Sequence, residues 1–415
     1  MSIFRPFKAV RPMPAFAEKV AALPYDVMNS DEAREKVQDN PYSFLHVDKA
    51  EIDLPKGTGL YDDIVYKRAA SNLASLENDQ ICKQDSNPCF YVYEQTMNGH
   101  TQTGIVGCAS IDEYINGKIK KHELTRADKE ADRIRHVDEC NANTGPIFLT
   151  YKGSEELSKL IEGFTSTRLP IYSFTSEGNV GNRVWLINDS ENVQEIQELF
   201  KKVDALYIAD GHHRCASAVK VGLKRREENK DYTGNEEFNF FLAVAFPKDD
   251  LHILDYNRVI KDLNGLSKDE FLNKISEKFD VEKADSSEPY SPKAPHTFGM
   301  FLEDNWYKLS AKDGTFDKKD PVKSLDVSIL QDNLISPILG IDDPRTDKRI
   351  DFVGGIRGLA ELEKRAKTDM KLAFSMFPTS IDELISIADA GALMPPKSTW
   401  FEPKLLSGLF VHKLS

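Results

Sequence analysis

Tyr207-Ile208-Ala209-Asp210-Gly211-His212-His213-Arg214-Cys215-Ala216-Ser217-Ala218 is the stretch on which the reading of this chain turns. An apolar run ends in Asp-Gly and a helical pattern follows at once. This predicts a strand, a tight turn and a helix that stops at Gly222. Such a junction leaves unpaired backbone N–H groups at the positive end of a helix dipole, a place that takes phosphate. Gly211 lets a ligand approach the backbone, and Arg214 offers a bidentate fork for phosphate oxygens. A solvated Asp-Gly turn is the plain alternative. Two adjacent histidines between an Asp and an Arg are too polar for packing alone to explain at the end of a core strand.

Upstream lies Lys120-Lys121-His122-Glu123-Leu124-Thr125-Arg126-Ala127-Asp128. Thr125 and Asp128 fit a capping box for a helix over 125–140, with Leu124, Ala127, Ala131 and Ile134 as a narrow apolar stripe. Asp128, Lys129, Glu130 and Arg135 then read as a solvated face. Glu123 precedes the helix beside His122, where a carboxylate can take a proton from a substrate hydroxyl. Downstream lies Met394-Pro395-Pro396-Lys397-Ser398-Thr399-Trp400-Phe401-Glu402-Pro403-Lys404, a proline-framed loop. Its Lys397, Ser398 and Thr399 suit oxyanions, a point charge beside two hydroxyl donors, although taken alone the segment reads as an ordinary loop. The turn Asn141-Ala142-Asn143-Thr144-Gly145-Pro146 also presents amides that suit an anion. The charged loop at 342–349 reads as solvated, and the glycines at 354–358 lack dinucleotide-binding spacing. No Walker A, HExxH or GxSxG pattern occurs.

Around these segments the chain alternates strand and helix signals. Phe90 to Thr96, the Asn98-Gly99 turn and Thr101 to Ala109 read as a hairpin. Further strands are expected at 184–187, 205–208 and 241–246, and helices at 193–202 and 215–221. The first forty residues are punctuated by proline, with a helix expected after Ser30 as N-cap and another from residue 60 to 76. Beyond residue 260, Ser267 opens a helix, 279–281 begins a strand, 284–295 reads as a linker or long loop, and helices follow at 324–333, 356–367 and 380–389. The pattern is mixed α/β or α+β. The expected divisions are an N-terminal extension (1–95), a core (96–260) and a C-terminal α/β region (261–415).

The 415 residues carry 67 acidic and 54 basic side chains, a net charge of −13, which argues against a general nucleic-acid binder. Five scattered cysteines form no metal-finger spacing and read as reduced thiols. Neither a signal-peptide core nor a membrane-spanning run is present, so a cytoplasmic protein is expected.

His122-Glu123, Asp210 to Arg214 and Pro396-Lys397-Ser398-Thr399 occur in the same order as in the free L-serine kinases, which have a ParB/sulfiredoxin-like fold, and together they resemble that family. The whole chain, including Pro24-Tyr25-Asp26-Val27 and Asn40-Pro41-Tyr42-Ser43-Phe44-Leu45, also resembles a large bacterial family long left as a domain of unknown function, whose members are associated with serine biosynthesis. The resemblance implies a phosphotransferase interconverting L-serine and O-phospho-L-serine, with ATP, ADP or pyrophosphate as partner and Mg2+ as cofactor. It implies Glu123 as general base and Asp210 as a substrate or Mg2+ contact. His212, His213 and Arg214 would stabilise the transferring group, with Gly211, His122, Lys397, Ser398 and Thr399 binding phosphate or substrate. No residue is assigned to a tightly held metal in this reading. The N-terminal hundred residues, which the small kinases lack, leave donor and direction open, and the oligomeric state is not legible. Two other readings compete: a metal-dependent phosphohydrolase with His122, Asp210, His212 and His213 as ligands, and a non-catalytic nucleotide-binding regulator.

Overall fold

Runs of alternating and β-branched residues form the expected strands, and their pairing divides the chain. A computed structural model describes residues 2–284 and 288–415. By its own contacts the chain falls into two units, Met1–Leu251 with Pro403–Ser415, and His252–Glu402. The expected divisions at 95/96 and 260/261 are not where contacts part. The first would cut the strand Phe90–Met97, which is paired on both sides, and Phe4–Arg5 joins the same sheet through Phe4 opposite Ala109. Composition marked the prolines of the N-terminal segment, but long-range pairing decides which unit it enters. The last segment, Pro403–Ser415, returns to the first unit, where Val411 bridges Val10 and Ser407 bridges Ala22.

The first unit is built on a nine-stranded mixed sheet. Its strands are β1 (Phe4–Arg5), β2 (Phe90–Met97), β3 (His100–Ser110), β4 (Ile119–Lys120), β5 (Ile147–Tyr151), β6 (Tyr172–Ser176), β7 (Val180–Ile187), β8 (Leu206–Asp210) and β9 (Phe240–Pro247). The order is β4-β8-β5-β9-β3-β2-β7-β6, with β1 on β3. The β4–β8 and β5–β9 pairs are parallel and the remaining pairs antiparallel. One face buries Phe90, Ile105, Leu149, Trp185, Ile208 and Phe241 in a single apolar cluster. The helices of this unit include α1 (Ser30–Lys36), α2 (Asp63–Asn78), α3 (Ala127–Cys140), α4 (Glu155–Thr167), α5 (Ser190–Lys201) and α6 (His212–Glu228).

Several helix details depart from the expectations. Asn29, not Ser30, caps α1, in a reciprocal box with Glu32. Arg126 stands at the N-cap of α3 without a side-chain bond, and the Thr125 hydroxyl donates instead to Glu130. Leu124 is exposed, and the buried face of α3 carries Glu130, Asp132, Arg133, His136 and Val137. That face is polar because it packs on polar partners: Tyr66 Oη donates to Asp132 (2.9 Å), Arg133 Nε donates to Asp132 (2.9 Å), and His136 Nε2 donates to the Val47 carbonyl (3.0 Å). Glu130, expected in solvent, is buried with Lys220 and Thr125 as partners. A hydropathy stripe cannot anticipate such a seam, because Tyr66, the Val47 carbonyl and Lys220 reach it from other segments.

The second unit holds a six-stranded antiparallel sheet of β10 (Tyr256–Ile260), β11 (Phe279–Lys283), β12 (Thr297–Leu302), β13 (Asn305–Ala311), β14 (Ile350–Gly354) and β15 (Leu372–Ser375), in the order β11-β13-β12-β15-β10-β14. Its helices α7 (Lys268–Ile275) and α10 (Ile381–Asp389) start at the Ser267/Glu270 and Ser380/Glu383 capping boxes, and α8 (Asp326–Leu330) and α9 (Leu359–Thr368) lie between them in the chain. Of the expected linker, residues 285–287 lie outside the described residues, and 288–295 form no helix or strand. The five cysteines are free thiols. Among the described residues no helix is long and apolar enough to cross a membrane. The molecule is of the mixed α+β class.

Helix α6 does not stop at Gly222. It continues to Glu228, and Gly222 is where the Phe238 carbonyl and Ile111 press against the helix, so that an added Cβ would meet both. Gly222→Ala is therefore expected to lower stability by about 1–3 kcal/mol. Gly163→Ala, in α4 with nothing within 4 Å of the new Cβ, should raise it by roughly 0.5–1 kcal/mol. Denaturant unfolding of both variants checks the pair, and a stabilising Gly222→Ala would refute the contact.

Candidate active site

The parallel register of β4 and β8 builds the site. Ile119 pairs with Leu206 and Lys120 with Tyr207, so the residues leaving both strands emerge at the same carboxyl edge. Lys121, His122 and Glu123 therefore land beside Asp210, Gly211 and His212, which β8 delivers. Open α/β sheets bind ligands at such edges. A register shift between Ile208 and Asp210 opposite β5 bends the end of β8, as bulges near sites do. Gly211 then takes φ +90°, a left-handed conformation that turns the chain directly into α6. No side chain caps α6, so the first-turn N–H groups are not consumed by a cap.

At this edge the His122 and His212 rings meet edge to face, with centroids 4.5 Å apart, and His212 Nδ1 lies 3.9 Å from Glu123 Oε2. His122 is 2% exposed and His212 6%. His122 donates to the Ile208 carbonyl, and its Nδ1 has no hydrogen-bond partner; nor does His212 Nε2. Burial pushes His122 down to about 4 against the opposing pull of Asp210 and the Ile208 carbonyl. Burial, then the neighbouring His122, holds His212 well below the ordinary imidazole range. Both rings are neutral at pH 7.

Asp210 is fully engaged. One carboxylate oxygen accepts from the Gly211 N–H (2.8 Å) and the other from Lys404 Nζ (2.7 Å). Burial works against its charge, but Lys404, the Gly211 N–H and Arg214 outweigh it and bring the carboxyl down to about 2. Lys404 is the site residue that sequence reasoning passed over. It closes the same segment that contains Lys397, and the only signal was a second lysine behind a proline.

His213 and Arg214 face other partners. His213 Nε2 accepts the backbone N–H of Arg126 at 3.0 Å, tying the start of α3 to the start of α6, and burial lowers its basicity. Arg214 Nη1 donates to the Pro146 carbonyl (3.3 Å), while its buried Nη2 has no hydrogen-bond partner. The guanidinium lies 5.4 Å from the Tyr25 ring centroid, and Arg133 lies 4.1 Å from the same ring. With Asp48, His136 and Thr144 these groups line a cavity of about 20 Å³. The turn at 141–146 is thus spent internally: Asn143 Oδ1 accepts from Leu242 N (3.2 Å) and Gly145 packs on Arg214.

Lys397, Ser398 and Thr399 belong to the second unit. There Lys397 is exposed, with φ +59°; its carbonyl accepts from Arg258 Nη2 (3.1 Å), and its ammonium lies 5.5 Å from the Tyr256 ring centroid. Ser398 is buried and donates to the Pro395 carbonyl (2.7 Å), while its own carbonyl accepts from Thr379 (2.9 Å). Thr399 is half-buried. The first unit brings together His122, Glu123, Asp210, Gly211, His212 and Lys404, with His213 and Arg214 next in the first turn of α6.

Removing the Lys404 ammonium leaves burial less opposed at Asp210. In Lys404→Met the Asp210 carboxyl is expected to titrate at least ~1 pH unit higher than in the parent, read from its 13C shift. An unchanged value would remove Lys404 as the group that holds Asp210 charged.

Among solved structures the chain is similar to a free serine kinase in complex with AMP, at 16% identity and TM-score 0.36 over 72% of this chain and 86% of that one. It is similar also to a conserved hypothetical protein from Pyrococcus furiosus, at 14% identity and TM-score 0.36 over 74% and 94% of the two chains. A third is SbnI with a C-terminal truncation from Staphylococcus aureus, at 10% identity and TM-score 0.37 over 73% and 85%. No curated protein matches in sequence. Residues 4–328 match the family described as a protein of unknown function, DUF1015, and the chain belongs to that family.

Proposed function

We propose that this protein is a phosphotransferase that moves a phosphoryl group between L-serine and O-phospho-L-serine, with ATP, ADP or pyrophosphate (or phosphate, in the reverse direction) as partner. The observation that carries the reading is the uncapped start of α6 behind Gly211, with the Lys404 ammonium held at its mouth by Asp210 and the Glu123 carboxylate beside His212. Phosphoryl transfer needs positioning and charge neutralisation more than covalent chemistry, and this edge offers both. The choice of serine, and of a ParB/sulfiredoxin-like core, rests on the collinear His-Glu, Asp-Gly-His-His-Arg and Pro-Lys-Ser-Thr segments.

In this reading Glu123 accepts the hydroxyl proton as the new O–P bond forms, and returns it in the opposite direction. The first-turn N–H groups of α6 and Lys404 meet the charge on the phosphoryl oxygens. Neutral His212 stands 3.9 Å from Glu123, and His213, an acceptor to Arg126, holds α3 against α6. Asp210 keeps Lys404 in place in lieu of touching substrate. Lys397, Ser398 and Thr399, which lie in the second unit, are phosphate-binding candidates by their place in the Pro-Lys-Ser-Thr segment alone. The residues at this edge do not fit Mg2+: Asp210 has both oxygens committed, and the nearby donors His122, Glu123 and His212 are mostly nitrogen, unlike the oxygen shell that ion demands.

Glu123→Gln keeps the shape and removes the base. Its turnover should fall by roughly 10²–10⁴-fold with the circular dichroism unchanged. The assay incubates the protein with serine, and separately with phosphoserine, across ATP, ADP, pyrophosphate and phosphate, and follows both amino acids. Near-full activity in Glu123→Gln removes the base, and no interconversion with any partner removes the proposal.

A further inference from the structure

The donor set that rejects Mg2+ has a chemistry of its own. We infer that His122, Glu123 and His212 form a binding site for one borderline divalent transition-metal ion, of which Zn2+ and Co2+ are the type. Each residue offers one ligand atom, and the three atoms lie within 4.8 Å of one another. Metal–ligand bonds near 2 Å require these atoms to stand closer, ~3.4 Å apart in a tetrahedral shell. Closing that gap requires a shift of these side chains, of which Glu123 is the half-buried one.

A second observation points to a ligand independently. His122 is 2% exposed and spends its N–H on the Ile208 carbonyl, which leaves Nδ1 as a lone pair with no partner inside the protein. His212 is 6% exposed and turns Nδ1 toward Glu123 at 3.9 Å, while its Nε2 has no hydrogen-bond partner. A buried lone pair left unsatisfied is costly, and a cation satisfies it. A histidine whose other nitrogen donates to a backbone carbonyl is oriented as metal-ligating histidines are. Two imidazoles and one carboxylate select zinc-class ions over Mg2+ and Ca2+, and three protein ligands leave a fourth position open.

Occupancy has a consequence that rests on the phosphotransferase reading, although the binding itself does not. A carboxylate bound to the metal is withdrawn from the hydroxyl proton, so a bound zinc-class ion inhibits transfer.

The test uses the full chain stripped with EDTA and titrated with Co2+, followed by its visible absorption, and with Zn2+ by calorimetry. One equivalent is expected to bind, and His212→Gln and Glu123→Gln should each weaken binding by roughly tenfold or more. Glu123, at the rim, serves as the variant that keeps the fold should a buried histidine change unfold the protein, as melting curves will show. Absence of saturable Co2+ binding, undiminished affinity in Glu123→Gln, or an intense near-ultraviolet sulfur-to-cobalt band would overturn the site. One equivalent of Zn2+ should suppress serine phosphotransfer, and EDTA should restore it. An undiminished rate with metal bound overturns the inhibition. A chain that binds one Co2+ yet turns over no phosphate partner keeps the metal site and loses the phosphotransferase reading.

Discussion

The parallel pairing of two short strands is the constraint on which the site depends. Because Ile119–Lys120 runs alongside Leu206–Tyr207 in the same direction, the residues that leave both strands share one edge. An antiparallel arrangement would have put His122 and Glu123 at the opposite end of β8 from Asp210. The pair is short, and its side chains are ordinary. Its value lies in direction: β4 runs parallel to β8, whose other neighbour, β5, is antiparallel to it. The bulge at the end of β8 and the left-handed Gly211 then convert a buried strand into a helix start within two residues.

Behind this edge the chain carries a buried charged layer that is not built for stability alone. Arg133 and Arg214 lie against the Tyr25 ring, Asp48 accepts from Thr144 (2.8 Å), and Asp132 takes Arg133 and Tyr66. Burial alone would raise the Asp48 carboxyl, but Arg214 and the neighbouring His136 and Arg133 bring it below its ordinary value. Buried pairs of this kind repay little of their desolvation cost, yet removing one partner leaves an uncompensated charge. Such a layer fixes which segments meet: the N-terminal Tyr25, the short helix Leu45–Asp48 ahead of α2, α3 and α6. The proline-rich start of the chain is thereby part of the first unit, and its contacts are with the helices that carry the site.

Helix and strand signals in the sequence were strong where a local cause sufficed. The Asn98-Gly99 hairpin, the Ser267/Glu270 box and the Ser380/Glu383 box are all in place, because turn chemistry and capping act over four residues. Local cues failed where a distant group intervened. Gly222 read as a helix stop, and it is a packing notch for the Phe238 carbonyl. Thr125 read as a cap, and Glu130 from the next turn takes its hydroxyl. The face of α3 read as apolar at Leu124 and solvated at Glu130, and the structure reverses both.

The amino-acid order by itself determined that a strand, a tight glycine turn and a helix follow one another at Asp210-Gly211-His212, and that acid, imidazole and cationic groups crowd there. Backbone conformation and helix dipoles are local properties, so they can be read from neighbours in the chain. Only the tertiary structure decided that Lys404 neutralises Asp210, that His213 is spent on the Arg126 N–H, and that His122 and His212 stand ring to ring with unpartnered nitrogens. Those outcomes depend on which hydrogen-bond partner arrives across nearly two hundred residues in the case of Asp210 and Lys404. No period or motif in the sequence encodes that distance.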